Sequence, residues 1–371
     1  MDIIFRPYVS KRAKENIKNY KYSCSDNSIS NMIMQPFWNW SVNFLPMSLA
    51  PNSVTSIGLL SIIISYLVTL YYMPEMKGTP PTWLYYFNIF SIFFYQTMDA
   101  LDGKQARRTQ SSSGLGELFD HGCDAIITFF VVQTFQCSLQ IGINEYSLFS
   151  ILAIMFAFYT AQWEQYHTDV MTFGVIGVVE THFVMIIGHL ITAIVGPHFW
   201  LETISISKYI TLQYNHIVII GMFIGSLSMF SQNAISVFKK CGKEKALSCL
   251  QDLIPVVVLI AICFIWNQKS GILYSSPHLF MSTFGYLMAF ITGRLILARI
   301  CGDRLFLFQN IMLPLALVFI NFYWNLFDEV IFLKYYFIFV LITYLHFCYV
   351  IITTLSKVLG IKPFKVRPKS Q

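Results

Sequence analysis

Long apolar segments recur along the whole chain, and they constrain its fold more than any other feature. Ten of them reach the length of about 20 residues that a helix needs to cross the hydrocarbon core of a bilayer. They cover residues 54–73, 83–107, 114–138, 147–166, 174–195, 216–238, 250–267, 279–300, 306–326 and 335–358. Charged residues make up only 12% of the chain, against about 25% in a typical soluble protein. The sequence therefore predicts an all-α integral membrane protein with about ten transmembrane helices.

The N-terminal region is expected to stay outside the bilayer core. The first 30 residues are polar and have no apolar core, so we find no cleavable signal peptide. The aromatic segment Ile29–Leu45 predicts an interfacial amphipathic helix before the first span. Trp38 and Trp40 would then lie at the level of the lipid headgroups.

Lysine and arginine are distributed unevenly between the two sides of this topology. One side holds Arg6, Lys11, Arg12, Lys14, Lys18, Lys21, Lys104, Arg107, Arg108, Lys239, Lys240, Lys243, Lys245, Arg299, Arg304, Lys362, Lys365, Arg367 and Lys369. The other side holds only Lys77, Lys208, Lys269 and Lys334. The positive-inside rule therefore places both termini in the cytosol. The net charge of +6 is attributed to loops beside anionic membrane lipid, not to nucleic-acid binding.

Four aspartates stand at fixed intervals within two of the apolar segments. Asp99 and Asp102 are three residues apart, and Asp120 and Asp124 are four apart. Ionisable residues at membrane depth are costly and mark functional sites. Carboxylates that converge also repel one another, and oxygen-ligated divalent cations would neutralise them. A compact Mg²⁺ or Mn²⁺ site with two ions, suited to phosphate oxygens and water, is therefore predicted from these four residues.

The spacing places these groups on shared helix faces. Two series follow the i, i+4, i+8 rule, namely Asp99–Gly103–Arg107 and Gly116–Asp120–Asp124. Two helices joined at the polar turn Arg108–Ser113 would bring the two faces together. The glycines would let a substrate approach the backbone, and the arginine fork suits a diphosphate.

The pattern D-x2-D-G-x2-A-R-x8-G-x3-D-x3-D resembles the signature of the CDP-alcohol phosphotransferases. The surrounding sequence is similar to the eukaryotic choline/ethanolamine phosphotransferase subfamily, most densely over residues 30–200. The similar stretches are QPFWNW (35–40), LAPN (49–52) with Thr55, DGKQARRT (102–109), SSS (111–113), LGELFDHGCD (115–124), Trp163, Tyr166, Phe173–Gly174, Glu180, Gly196–Pro197 and Phe199–Trp200.

This resemblance implies transfer of phosphocholine or phosphoethanolamine from its CDP-alcohol to diacylglycerol, with release of CMP. It also implies an endoplasmic reticulum or Golgi location, with the mouth of the active site in the cytosol, and a homodimer. We accordingly divide the chain into a cytosolic segment (1–53), a six-helix catalytic core (54–240) and a C-terminal part (241–371). The last part would contain four transmembrane helices and a basic cytosolic tail.

The resemblance also assigns residues to roles. The CDP-alcohol would contact the motif and its flanks at Asn52, Gly103, Ala106, Arg107, Gly116 and Glu117. Two of these have simpler interpretations, since Asn52 could be a helix N-cap and Glu117 a solvated charge at a helix end.

The catalytic base is a choice between two residues of the motif region. We favour His121, assisted by Glu180, since imidazole titrates near neutral pH and a carboxylate holding a cation is a poor base. In the wider superfamily the base has been assigned to the last aspartate of the motif, here Asp124. His121 would otherwise be a hydrogen-bonding neighbour of the site.

Three other functions also use carboxylates in a helical membrane protein. A phosphatidyltransferase that uses CDP-diacylglycerol and a small polar alcohol is the nearest alternative. The FDHGCD stretch and the count of ten spans favour transfer from a CDP-alcohol to diacylglycerol instead. A prenyltransferase would need a second Asp-rich motif, which the sequence lacks. A transporter with a carboxylate ion site would more often show symmetry between its halves.

The remaining polar residues carry no motif. The eight cysteines show no metal-binding spacing and are interpreted as reduced packing residues. His167, Asp169, His182, His189 and His346 likewise form no ligand pattern. Arg294 and Arg299 are expected to extend their charges to the cytosolic surface.

Overall fold

The computed structural model describes residues 8–20, 24–25, 29–172 and 178–366. Its helices are α1 (Lys11–Asn16), α2 (Ile29–Ser41), α3 (Pro51–Tyr72), α4 (Trp83–Arg108), α5 (Gly114–Ser138), α6 (Glu145–Thr168), α7 (Val178–Val195), α8 (Tyr214–Cys241), α9 (Lys243–Gln251), α10 (Ile254–Ser270), α11 (Ile272–Ser275), α12 (Pro277–Ile300), α13 (Leu315–Trp324) and α14 (Glu329–Leu359). Short 3-10 helices cover Ile17–Asn19, Val42–Phe44, Pro197–Leu201 and Asn310–Met312. Among the residues named above, Arg6, Lys21, Phe173, Gly174, Arg367 and Lys369 lie outside the described residues.

Two short strand pairs complete the described elements. Strand β1 (Cys24–Ser25) runs parallel to β2 (Met171–Thr172), with Cys24 opposite Met171. Strands β3 (Thr203–Ser207) and β4 (Ile210–Gln213) form an exposed antiparallel hairpin between α7 and α8. The strands are minor, and the chain is an all-α membrane protein as predicted.

The predicted apolar segments all overlap helices, although not every helix is long enough to span a bilayer. Among the described residues, five helices are long and apolar enough to cross a bilayer. Helices α9 and α10 together form a sixth candidate span, bent by 48°. The five are α3, α6, α8, α12 and α14. Helix α13 has only 10 residues, about half of a bilayer span. The count of ten spans therefore stays a prediction.

Helix α12 lies at the centre of the bundle, and α8 and α14 lie at its periphery. The most apolar window of α12 is 78% buried, whereas those of α8 and α14 are 17% and 28% buried. Helix α12 packs on α5, α6, α10 and α14. The apolar side chains that α8 and α14 expose are suited to lipid, because lipid tails are as apolar as the side chains.

Helices α3 and α4 approach each other closely at a glycine. A Cβ atom on Gly58 would lie 3.0 Å from Cβ of Met98 and from the ring of Tyr95. Only a residue without a side chain fits this crossing without displacing the neighbours. Because Met98 directly precedes Asp99 and Tyr95 lies one helical turn before it, the crossing fixes the position of the aspartate motif.

The N-terminal segment is helical as predicted, but its two tryptophans differ. Trp40 is 60% exposed and is placed to meet a membrane interface. Trp38 is buried in a small apolar cluster with Val42, Val54 and Leu101. Trp38 therefore attaches α2 to α3 and α4, and the prediction that both rings lie at headgroup level stays a prediction.

Candidate active site

A cavity of about 530 Å³ lies where the aspartate motif faces the start of α3 and both ends of the described chain. Every residue of the motif lines it, namely Asp99, Asp102, Gly103, Ala106, Arg107, Gly116, Asp120 and Asp124. Asn52, Glu117 and His121 line it as well. The predicted approach of two helix faces across a polar turn is therefore confirmed.

Three of the four motif aspartates form a carboxylate cluster. One oxygen each from Asp99, Asp102 and Asp120 lies within 4.8 Å of the other two. At that separation two carboxylates repel by about 3 kcal/mol at an effective dielectric constant of about 20. Oδ1 of Asp120 is buried and has no hydrogen-bond partner among the described residues. This donor set fits a divalent cation, which would supply the missing positive charge.

Two hydroxyl groups hold the aspartates in place. Thr55 in α3 donates a hydrogen bond to Oδ2 of Asp102. Tyr95, one helical turn before Asp99, donates to Oδ1 of Asp124. Neither hydroxyl residue was assigned this role from the sequence, although Thr55 belongs to the similar stretch. Asp124 lies outside the carboxylate cluster, and its membership of a metal site stays a prediction.

His121 lies between two carboxylates of its own helix. Its Nδ1 is 3.5 Å from Oδ2 of Asp124, and its Nε2 is 3.9 Å from Oε1 of Glu117. The ring is 12% exposed, so it is shielded but reachable from the cavity. Glu180 lies half-buried in the first turn of α7. Its pairing with His121 stays a prediction.

Asn52 is not an N-cap. Helix α3 begins at Pro51, its N-cap is Ala50, and Asn52 is a buried residue of the first turn. A Cβ atom on Gly116 would lie 3.7 Å from Oδ1 of Asn52. The amide therefore points across the cavity toward the start of α5. Ser113 caps that helix by accepting a hydrogen bond of 3.1 Å from the backbone N–H of Gly116.

Glu117 is a buried, paired carboxylate, so its interpretation as a solvated helix-end charge is wrong. Nη2 of Arg299 donates to its Oε1 at 2.5 Å, and the hydroxyl of Tyr20 donates to its Oε2 at 2.8 Å. Nη1 of Arg299 also donates to the Tyr20 oxygen at 2.7 Å. Burial raises the pKa of the Tyr20 phenol, which keeps it a neutral donor. The triad joins the N-terminal segment, α5 and α12.

Arg299 therefore does not extend to the surface as expected. Its side chain is 4% exposed, because the carboxylate it pairs with is itself inside the protein. A buried charge persists only when it is paired and hydrogen-bonded. The prediction for Arg299 is thus wrong, and the reason is a partner 182 positions away in the sequence.

Positive side chains surround the mouth of the cavity. Arg107, Lys18, Lys362 and Lys365 line it and are exposed. Gly360 ends α14 with a φ of 61°, a left-handed turn that glycine adopts without strain. Beyond it, the ring of Phe364 packs edge-on against Phe119 of α5, with centroids 5.7 Å apart. The C-terminal tail, predicted only as a basic cytosolic segment, therefore forms part of the cavity wall.

Two buried glutamines were missed by the sequence analysis. Gln96 and Gln162 line the cavity from α4 and α6. In both, the amide nitrogen and oxygen are buried without a hydrogen-bond partner within the described part of the chain. Their polar groups inside apolar helices were a usable signal, because such groups are costly at membrane depth. His182 of α7 lines the cavity beside them, edge-on to Tyr95.

The end of α4 is fastened to the N-terminal segment by three side chains. Lys104 donates to Gln35 and Asn39, and Gln105 donates to the carbonyl groups of Pro46 and Leu49. Arg108 donates to the carbonyl groups of Val42 and Leu45 at 2.8 Å each. These bonds leave Arg107 as the cation of this turn that faces the cavity.

Comparison with known proteins gives one consistent result. A family model described as CDP-alcohol phosphatidyltransferase matches residues 48–219. The chain is 50% identical to an "uncharacterized CDP-alcohol phosphatidyltransferase class-I family protein 1" of Dictyostelium discoideum, over 98% of this chain and 97% of that protein. It is 33% identical to a choline/ethanolaminephosphotransferase 2 of Arabidopsis thaliana, over 98% of this chain and 99% of that protein. It is also 33% identical to a cholinephosphotransferase 1 of Danio rerio, over 96% of this chain and 94% of that protein.

Proposed function

Because the chain belongs to the CDP-alcohol phosphatidyltransferase family, we propose that it transfers phosphocholine or phosphoethanolamine from the CDP-alcohol to diacylglycerol. A new P–O bond forms between the lipid hydroxyl and the β-phosphate, and the bond to CMP breaks. The products are phosphatidylcholine or phosphatidylethanolamine and CMP. The observation that carries this proposal is the convergence of every motif residue on one cavity.

Divalent cations, Mg²⁺ or Mn²⁺, are the proposed cofactors. The carboxylate cluster of Asp99, Asp102 and Asp120, with Asp124 beside it, would hold them. Their chemistry would be to neutralise the diphosphate and its developing charge. Two ions are proposed, because the diphosphate and the carboxylates together carry more negative charge than one divalent cation would neutralise.

The diphosphate is oriented by residues of the chain itself. Arg107 presents a planar fork of donors at the cavity mouth, suited to two phosphate oxygens. A Cβ atom on Gly103 would meet only the Arg107 guanidinium within 4 Å, so the backbone here is open to a ligand. Ala106 and Gly116 also line the cavity, and their small size leaves room for a ligand. Lys18 and Lys362 add positive charge that attracts the nucleotide.

The cytidine is placed against Asn52 and Glu117. Glu117 is oriented by Arg299 and Tyr20, so its carboxylate is presented in one geometry. A carboxylate oxygen accepts more than one hydrogen bond, which leaves capacity for the exocyclic amine of cytosine. The Asn52 amide offers both a donor and an acceptor.

The proposed base is His121. It would accept the proton of the lipid hydroxyl as that oxygen attacks phosphorus. Asp124, 3.5 Å from Nδ1, is placed to orient the ring, and Glu180 is proposed to assist. Asp124 stays the alternative base.

The lipid acceptor is proposed to reach the cavity from the side of α6 and α7. Phe158, Ala161 and Val179 line the cavity there, beside the buried polar side chains of Gln162 and His182, whereas its mouth is cationic. We also propose that both termini and this mouth face the cytosol, in the endoplasmic reticulum or Golgi membrane. The catalytic core is assigned to residues 54–240.

Purified protein in lipid nanodiscs tests this function directly. We expect radiolabelled phospholipid to form from diacylglycerol with CDP-choline or CDP-ethanolamine, at a rate that depends on both substrates. The matched control offers CDP-diacylglycerol with inositol or glycerol phosphate. Turnover in the control reaction alone would assign the chain to the other donor class. An Asp120→Asn preparation checks that the product comes from this site.

A further inference from the structure

A second group of metal-ligating side chains lies apart from the active site, where α6, α8 and α9 meet. His167 is in the last turn of α6, Cys241 ends α8, and Cys249 is in α9. One ligand atom from each lies within 4.8 Å of the other two. Asp252, the C-cap of α9, places Oδ2 3.1 Å from Nε2 of His167. Three potential ligands therefore converge from three chain segments, and a fourth, Asp252, adjoins them at His167.

Buried hydrogen bonds hold this group in position. Nε1 of Trp163, which is fully buried, donates to the carbonyl group of Cys249 at 2.9 Å. The hydroxyl of Tyr159 donates to the carbonyl group of Asp252 at 2.6 Å. Both donors belong to α6, the helix that carries His167. The bonds thus fix α9 against α6 at the level of the four side chains.

The contact between His167 and Asp252 is incomplete as a hydrogen bond. Nε2 of His167 is shielded from solvent and does not have hydrogen-bond alignment with Oδ2 of Asp252, despite the 3.1 Å separation. Cys249 is 4% exposed, so its sulfur also lacks access to bulk water. A shared cation would satisfy these atoms together, since it accepts lone pairs from all of them.

We propose that His167, Cys241, Cys249 and Asp252 bind a zinc ion. Sulfur and imidazole ligands with one carboxylate suit four-coordinate zinc, whereas Mg²⁺ and Mn²⁺ prefer oxygen. In tetrahedral zinc, with bonds of about 2.0–2.3 Å, ligand atoms lie roughly 3.3–3.8 Å apart. Small side-chain rotations bring the observed group to that size. The two clusters of the protein would thus select different metals.

The zinc site would stabilise the wall of the active-site cavity. Phe158, Ala161 and Gln162 line that cavity from α6, and His167 lies further along the same helix. The ion would tie the end of α6 to the bend between α9 and α10. Its role is structural, and it takes no part in phosphoryl transfer.

Zinc content of the purified full chain is the first test. Protein prepared under reducing conditions and exchanged through metal-free buffer should retain about one zinc ion per chain, measured by elemental mass spectrometry. Cys241→Ser and Cys249→Ser should each lose it. Cys348→Ser is the matched control, since Cys348 is a partly buried thiol of α14 outside the group, and it should retain the ion.

Cobalt substitution assigns the ligands. Cobalt-loaded wild-type protein should show sulfur-to-metal charge-transfer absorption, and Cys249→Ser should lose it. Asp120→Asn should retain it, because the carboxylate cluster contains no sulfur. A zinc chelator should lower the melting temperature of the wild type but not of Cys241→Ser.

Two results with wild-type protein would overturn the proposal: no zinc bound when zinc is supplied, or a Cys241–Cys249 disulfide in protein kept under reductant. Zinc retained by both serine variants would also overturn it.

Discussion

The triad of Arg299, Glu117 and Tyr20 gives a quantitative prediction about stability. Arg299→Met removes two charge-assisted hydrogen bonds of 2.5 and 2.7 Å and leaves the Glu117 carboxylate, 6% exposed, without its counter-charge. Breaking a buried ion pair from one side costs about 3–5 kcal/mol. Tyr20 continues to donate to Glu117, so we expect the lower end, about 3 kcal/mol.

A double-mutant cycle isolates the charge from the lost packing. Glu117→Gln removes the carboxylate, so the double variant contains no unpaired charge. Its loss of unfolding free energy should be about 1–3 kcal/mol smaller than the sum of the losses of the two single variants. Arg304→Met is the control, because Arg304 is an exposed arginine of the following loop and should change stability by less than about 0.5 kcal/mol.

The free energy of unfolding is measured by SDS titration in mixed micelles, with the Michaelis constant for the CDP-alcohol measured in parallel. We expect the Michaelis constant to rise in Arg299→Met, because Glu117 loses its fixed orientation at the cavity. If Arg299→Met were as stable as Arg304→Met, the buried pair would not have the energetic role assigned to it here.

Three further predictions concern the reaction and the topology. Each Asp→Asn change in the carboxylate cluster should abolish turnover while the protein still inserts, and EDTA should inactivate the wild type until Mg²⁺ or Mn²⁺ is restored; activity that persists in chelator would contradict the metal site. His121→Ala should lower turnover by about 10²–10⁴-fold with nearly unchanged CDP-alcohol affinity. Glu180→Gln should lower turnover less, and the double variant should be little slower than His121→Ala. Losses of turnover that multiply in the double variant would show that the two residues act independently. Ser112→Cys should react with an impermeant maleimide in intact microsomes, and protection there would reverse the proposed orientation.

The helices were predictable because the bilayer imposes a length and a composition on each one. The predicted segment 114–138 coincides with α5, and 83–107 differs from α4 by one residue. The prediction was weakest at 306–326, where an apolar composition suggested one span. Pro314 lacks the N–H that a helix interior requires, and the regular helix begins only after it. The β3–β4 hairpin was also missed, although Ile204 and Ile206 show the alternation typical of a strand.

The candidate site was predictable only where one motif carries it. Asp99 through Asp124 belong to two consecutive helices, so helical periodicity was enough to bring them together. Arg299 and Tyr20 come from distant segments, and no local pattern relates them to Glu117. The same holds for His167 and Cys249, whose contact depends on how α6 and α9 pack.

Both ends of the described chain contribute to one cavity, and this has a consequence during biosynthesis. Lys18 and Tyr20 come from the beginning of the chain, and Ile361 to Lys365 follow the last helix. A nascent chain that has inserted the aspartate motif but not α14 therefore lacks one wall of the cavity and two of its cations. The aspartates can be in the membrane long before the site is finished. The time between those two events depends on translation, and a ribosome that stalls within the last helices would leave an inserted but inactive protein.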